Sequence, residues 1–519
     1  MNTKVTQKIA HAALAEGDNV VDPGELLDIP NVHFFGAEYE PELHRNRSLR
    51  TLLFQSLAIS AIPVGFGSPL ISAIYGGGQL PMFLGWVVVA LGQQCVAISL
   101  AELISRFPVS GGPYFWSFQL ASLKRRKAVA FSTGWIWLTG NWTITLAVNF
   151  GFAQLVSAAG SLYRSGFLSE PWQLLLVFYG ICLTTFLVCS FGNRYLPIID
   201  TICAVFTVVA ILVTLICLSI KAKAGRHSVA DTLGHYDSTL SGWGDFSFWI
   251  GTLPSAYALC TTGMISSMAE ECDDPQVKLP RALCLSIPVG GLAGLFYILP
   301  ICATLPPLND IIAGGDGQAL PYIFGVVMGS AGGGLALTTF LLCICCFCSV
   351  SITVAASRCT WAFARDQGIP LSRLWAKVDK RLDAPVFAIA LTTFVEMLLG
   401  LINLGNSSAF LSFVSVGVIS LAVSYAIPIA LSLYYKRSEV NAAPWTCRKH
   451  CGTLINIIAL AWIAFQVVLF SMPTVLPASA GSMNYAIVVF AGLTAASTFY
   501  YSFYARKHYT GPQVLPACT

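Results

Sequence analysis

The chain has 519 residues, of which 55% are hydrophobic and only 10% are charged. A water-soluble protein usually carries about 25% charged residues, so an ordinary soluble enzyme is excluded and an integral membrane protein is expected. The formal net charge of +4 says little by itself, and where the charges sit says much more.

Residues 1–44 are polar and mixed. They lack the charged start and short apolar core of a cleaved signal peptide, so a disordered cytoplasmic tail is expected, with the first membrane helix as insertion signal. A membrane helix needs roughly 20 apolar residues. Hydropathy then predicts twelve transmembrane helices, at about 51–75, 80–105, 128–158, 171–191, 196–220, 247–271, 282–304, 333–363, 385–404, 409–435, 452–472 and 484–505. The run "LPYIFGVVMG", from Leu320 to Gly329, reads as a short external helix and not as a span.

The first span holds Pro63, Gly65, Gly67 and Pro69 in its middle. Prolines remove donors and glycines weaken a helix, and in lipid a broken helix is tolerated only where its freed groups face protein or a wet cavity. Ser68 followed by Pro69 reads as a restart, an N-cap and a first helical position. The sixth span has a similar interruption, Pro254 and then Thr261, Thr262 and Gly263, where either Thr could cap a second half. The sixth span follows the first by five places, an odd number, so the two cross the membrane in opposite directions. Paired broken helices at this offset point to an inverted-repeat transporter with its site at the midplane.

The Lys and Arg residues test the topology. With the amino terminus in the cytoplasm, 25 of the 29 fall on the inner side, "KRRK" at Lys124 to Lys127 among them, and four on the outer side: Arg164, Lys221, Lys223 and Arg226. The positive-inside rule therefore places both termini in the cytoplasm. Of the 17 Cys, the "CICCFC" run (Cys343 to Cys348) reads as soft packing residues within a span, and no spacing suits a metal. External disulfides, glycosylation, a cofactor and a nucleic-acid partner are not expected. No His falls inside any predicted span, which leaves a membrane-embedded enzyme without catalytic or ligand clusters.

Several segments resemble one family. "AELISRFPVSGGPYFWS" (Ala101 to Ser117) is similar to the A-E-x-x-S-x-x-P-x-S-G-G-x-Y-x-W signature of the amino acid–polyamine–organocation superfamily. "MAEECDDPQVKLPRAL" and "ASRCTWAFARDQGIP" resemble that family's sixth-helix exit and its eighth helix. "SMNYAIVVFAG" and "RKHYTGP" resemble the end of the fungal amino acid/choline permease branch, which includes GABA permeases and choline transporters. The resemblance implies an all-α fold: a five-plus-five inverted repeat of the LeuT-like type with discontinuous helices 1 and 6, the repeats at 51–220 and 247–435, and two added helices at 452–505. It also implies uptake of an amino acid or related amine such as GABA or choline, usually driven by protons, in a monomer of the plasma membrane or, second, the vacuolar membrane. A nutrient sensor on the same scaffold is the alternative, and the short tails speak against it. Many relatives carry an acidic residue and a His around the sixth-helix break where this chain has Gly263 and Ser267, which speaks against a polyamine.

The expected substrate-binding residues are Gly65, Phe66, Gly67 and Ser68 from the first break, Tyr257, Thr261, Thr262 and Gly263 from the second, and Asn141 from the third span. Freed amides would bind a carboxylate there. Asp200, near the inner end of the fifth span, is the expected proton-coupling residue. Glu102, Glu270 and Glu271 are expected to make gate ion pairs with Arg106, Arg281 or Arg358. Glu396, in mid-ninth span, is expected to face protein, because an acid is costly in lipid.

Overall fold

The computed structural model describes residues 47–512 except 165, 169, 223–224, 316, 406–408 and 480–482. The tail expected at 1–44 and residues 513–519 of the carboxy-terminal tail lie outside the described residues. Among the described residues there are helices and no strands. Eleven helical segments are long and apolar enough to cross a bilayer: Leu49–Gly67, Gln79–Arg106, Arg126–Ser161, Pro171–Phe191, Asn193–Lys221, Pro275–Ala303, Ala331–Arg365, Val386–Leu404, Phe410–Tyr434, Lys449–Leu469 and Ala486–His508. They match eleven of the twelve expected spans, namely the first to fifth and seventh to twelfth. The sixth is buried, but it consists of short pieces: Ser247–Ile250, Leu253–Leu259 and a 3₁₀ coil, Cys260–Glu271. Such a coil rarely runs beyond three or four residues and marks a hinge when it does. The helix expected around Leu320 is Ala319–Met328; it folds back on the eighth span, where Gly334 meets the Gly325 backbone.

The packing carries the repeat. The second span packs on the seventh and the third on the eighth. The third also packs on the tenth, and its counterpart five places on, the eighth, packs on the fifth. The first packs on the fifth as the sixth packs on the tenth, and the second on the sixth as the seventh on the first. Among the eleven long helices the third and tenth spans are the most buried, whereas the twelfth lies at the edge.

The first break differs in position from the expected one. The helix Leu49–Ser60 stops at Ala61, which is left-handed (φ 37°, ψ 58°), and a second piece, Ile62–Gly67, begins with Pro63 in its first turn. The cause is Pro63 itself: in a continuous helix its ring would strike the Ile59 carbonyl four residues back, so the chain turns just before it. Ser68 stays helical (φ −62°, ψ −51°), and Pro69 takes the cap position of Leu70–Tyr75 without a side-chain hydrogen bond. Thr261 and Thr262 do not cap either. The Thr262 hydroxyl donates back to the Leu259 carbonyl at 2.9 Å, because the 3₁₀ winding carries the chain through the break without a free helix start.

Candidate functional site

The two interrupted spans touch at their breaks. A Cβ on Gly65 would lie 3.1 Å from the Ala258 Cα and 2.6 Å from the Ser60 carbonyl oxygen, so only glycine allows both approaches. Farther along, a Cβ on Gly76 would lie 2.3 Å from the Gly251 Cα. Beside the Gly65 contact is a small cavity lined by Ile59, Ser60, Val64, Gly65, Ile144, Val148, Tyr257, Thr261 and Cys348. Its volume is about 10 Å³, the room of one water molecule. No charged side chain lines it.

The break supplies this cavity with backbone polarity. Pro63 has no N–H for the Ile59 carbonyl, and the Cys348 thiol of the eighth span donates to it at 3.4 Å. The Val64 and Gly65 amides both bond to the Ala61 carbonyl at 2.8 Å, which bypasses the Ser60 carbonyl. The Thr261 hydroxyl is buried and has no partner. The site thus offers a carbonyl, a hydroxyl and the end of a helix dipole inside apolar walls.

Gly65, Tyr257 and Thr261 are brought together as site residues, and the others stand elsewhere. Phe66 packs edge-on against Trp86 of the second span at 5.8 Å. Gly67 lies under Leu320 of the helix Ala319–Met328, whose Cδ1 would overlap a Cβ placed there. Ser68 and Thr262 are buried outside the lining. At Gly263 the Tyr425 hydroxyl of the tenth span lies 2.7 Å from the place of a Cβ, so the tyrosine fills the space a side chain would take. Asn141 donates to the Trp137 carbonyl of its own helix at 2.8 Å. Ile59, Ser60, Val64, Ile144, Val148 and Cys348 were not anticipated. One signal was available for Ile59: it is the residue four before Pro63, whose carbonyl must lose its donor.

The chain is tightly packed toward either end of the two spans. Opposite the basic end of the bundle, Leu320 covers Gly67, and Tyr236 lies against Gly77 while bonding Ser247 at 2.7 Å. Toward the basic end, the loop after the second span wedges Gly112 (φ 50°) beneath Ser266 and Trp137.

A family model described as amino acid permease matches residues 51–493. The chain belongs to this family. An uncharacterized amino-acid permease of Schizosaccharomyces pombe is 32% identical over 488 residues, covering 92% of this chain and 88% of its own. The amino-acid permease BAT1 of Arabidopsis thaliana is 29% identical over 94% of this chain and 97% of its own. A choline transporter of Saccharomyces cerevisiae is 26% identical over 93% and 86%. Family membership makes the chain a multi-pass membrane transporter and not an enzyme.

At its basic end the permease holds a buried ionic network. Arg47, just before the first span, reaches Asp200 of the fifth at 2.8 Å and Glu271 of the sixth at 3.3 Å. The other Glu271 oxygen takes the Nε of Arg358 from the eighth span at 3.0 Å, and Arg358 also donates to Asn193 at 2.6 Å. Ser351 donates to the second Asp200 oxygen at 2.6 Å. Four spans of the permease are thus tied through two carboxylates and two guanidiniums. All four charged side chains are at least nine-tenths buried, where losing one partner leaves another charge uncompensated.

The remaining acids have other partners. Glu270 is held by both Nη atoms of Arg365 at 2.8 Å and accepts from the Ser110 amide at 3.4 Å. Glu102 pairs with Arg437, after the tenth span, at 2.7 Å and accepts from the Cys447 amide at 2.8 Å. Arg106 turns outward to Glu439, and Arg281 is exposed. Only the Glu271–Arg358 pair is among those expected, since the others depended on which helix ends the fold brings together.

Proposed function

We propose that the permease imports an amino acid or a related small amine such as GABA or choline by alternating access, driven by protons. The substrate sits where the first and sixth spans are interrupted. The observation that carries this reading is the uncharged cavity beside the Gly65–Ala258 contact, where the two interrupted spans meet. An ammonium would be held by the Ser60 carbonyl and the Thr261 hydroxyl, with the Tyr257 ring against the rest of the molecule. A carboxylate would have to draw the Val64 and Gly65 amides away from the Ala61 carbonyl that they now bond. With a volume of about 10 Å³, the cavity must widen to take a substrate, so uptake requires Leu320 or the basic-end network to move. In this scheme Arg47, Asp200, Glu271 and Arg358 form the inner gate, Glu270 and Glu102 anchor the gate's surroundings, and Gly67 is the seat of the outer lid.

The absence of an acid from the lining supports a substrate with a single amine over a polycation. The charge bias of the loops supports cytoplasmic termini, and importers of this kind serve the plasma membrane first and the vacuole second; the working unit is a monomer. Uptake of labelled amino acids, GABA and choline in a permease-deficient yeast, at acidic and neutral pH, tests the reading. Saturable uptake of one of them, faster at acidic pH, is expected. No uptake of any of them by protein at the cell surface would overturn it.

A further inference from the structure

Glu396 is an acid that the transport scheme above does not use. It lies on the ninth span, buried, with its Oε2 bonded to the Asn149 side-chain nitrogen at 2.7 Å and 3.9 Å from the Cys182 thiol. Its Oε1 has no partner, and neither has Oδ1 of Asn149. Among the described residues no Lys, Arg or His pairs with it. From the fourth span, Cys182, Cys189 and Tyr179 are the titratable groups on this side; the Tyr179 hydroxyl is committed to the Met397 carbonyl at 3.1 Å. From the eighth span, Arg358 comes within electrostatic reach of Cys189, yet its own nitrogens serve Glu271, Asn193 and Ser357. The third span presents Asn149.

An ionised carboxylate at this depth has nothing to balance it. The neutral acid fits better. Nitrogen and oxygen of an amide are interchangeable in placement, and 2.7 Å is the usual O–H···O distance. With the Asn149 amide turned, a protonated Glu396 donates to Asn149 Oδ1. A glutamine would serve static packing as well without an ionisable group. The position matters too: Val148, the residue before Asn149, lines the substrate cavity. The acid therefore stands one residue behind the site, across the third span.

We infer that Glu396 carries the coupling proton of this permease, and that Asn149 passes its protonation state to the cavity wall at Val148. Gaining the proton, the carboxyl donates to Asn149; losing it, the carboxylate draws the Asn149 N–H and the Cys182 thiol toward itself and shifts the third span. The inference rests on the proton-driven reading above.

The test uses the full chain in proteoliposomes, with the substrate identified by the uptake screen. Wild-type protein accumulates substrate when the inward proton gradient is imposed. Glu396→Gln, which mimics the protonated acid, is expected to lose that accumulation down to the equilibrium level while still exchanging labelled for unlabelled substrate. Accumulation equal to wild type in Glu396→Gln overturns the inference, as does uncoupling by Asp200→Asn alone. A wild-type protein that transports with no response to the gradient defeats the proton-driven reading and not the assignment of the residue alone. Because Glu396→Gln can fail to fold, wild-type protein is also treated with an apolar carbodiimide, which modifies protonated carboxyls. Labelling at Glu396 that fades as the pH is raised is expected; none at acidic pH overturns the inference.

Discussion

The Cys348 thiol stands 3.4 Å from the Ile59 carbonyl, supplying the hydrogen-bond donor that Pro63 lacks. A residue of the eighth span thereby completes a break made by a proline of the first, and Cys348 and Ile59 both line the cavity. Cys348→Ala leaves a buried carbonyl unsatisfied, at about 1–3 kcal/mol. Its melting temperature in detergent should fall, and Cys348→Ser, which restores a donor, should recover most of the loss. Equal melting temperatures for the Ala and Ser variants would count against the bond.

Gly65 should tolerate no side chain. The methyl of Gly65→Ala would stand 2.6 Å from the Ser60 oxygen and 3.1 Å from the Ala258 backbone, and neither can yield without parting the first and sixth spans. Uptake should drop at least about tenfold, the equivalent of ~1.4 kcal/mol, at unchanged surface amount, as judged by biotinylation. Near-normal uptake would remove Gly65 from the site.

Gly67 makes a separate prediction. Its neighbour is Leu320 of the helix Ala319–Met328, so Gly67→Leu should hold the proposed lid away while leaving insertion intact. Transport should be lost, and paired replacement with Leu320→Ala should restore part of it. No rescue by the pair would mean that the lid contact is not what the glycine serves.

Removing Arg358 strips Glu271 of one of its two guanidiniums. Breaking such a buried pair costs about 3–5 kcal/mol, so Arg358→Ala should be unstable. Asp200→Asn keeps the shape and removes one charge facing Arg47. It should weaken the inner closure, raise the labelling of cysteines placed near the cavity by thiol reagents from the basic side, and lower uptake. Unchanged labelling would show that the network is structural and not a gate.

Tyr425 occupies the side-chain space at Gly263. Gly263→Asp alone should misfold or lose transport, whereas Gly263→Asp with Tyr425→Ala has room for the carboxylate. Competition by dicationic amines against uptake should appear in the double variant only. Equal competition in the parent would place selectivity elsewhere.

The sequence by itself determined the spans, the breaks and the family. Runs of about 20 apolar residues leave a chain no stable place but the bilayer. Pro63 and Pro254 announce interruptions because a missing N–H is a local fact. Tertiary structure decided the rest. Ala61 carries no mark of a left-handed hinge; it turns because Pro63 follows two residues later and the sixth, seventh and eighth spans hold the pieces. Cys348 and Val148 become cavity walls, and Glu102 finds Arg437 instead of Arg106, only because residues far apart in the chain meet when helices pack. Which partner a buried charge takes is set by the geometry of packing, and the spacing of residues along one chain does not contain it.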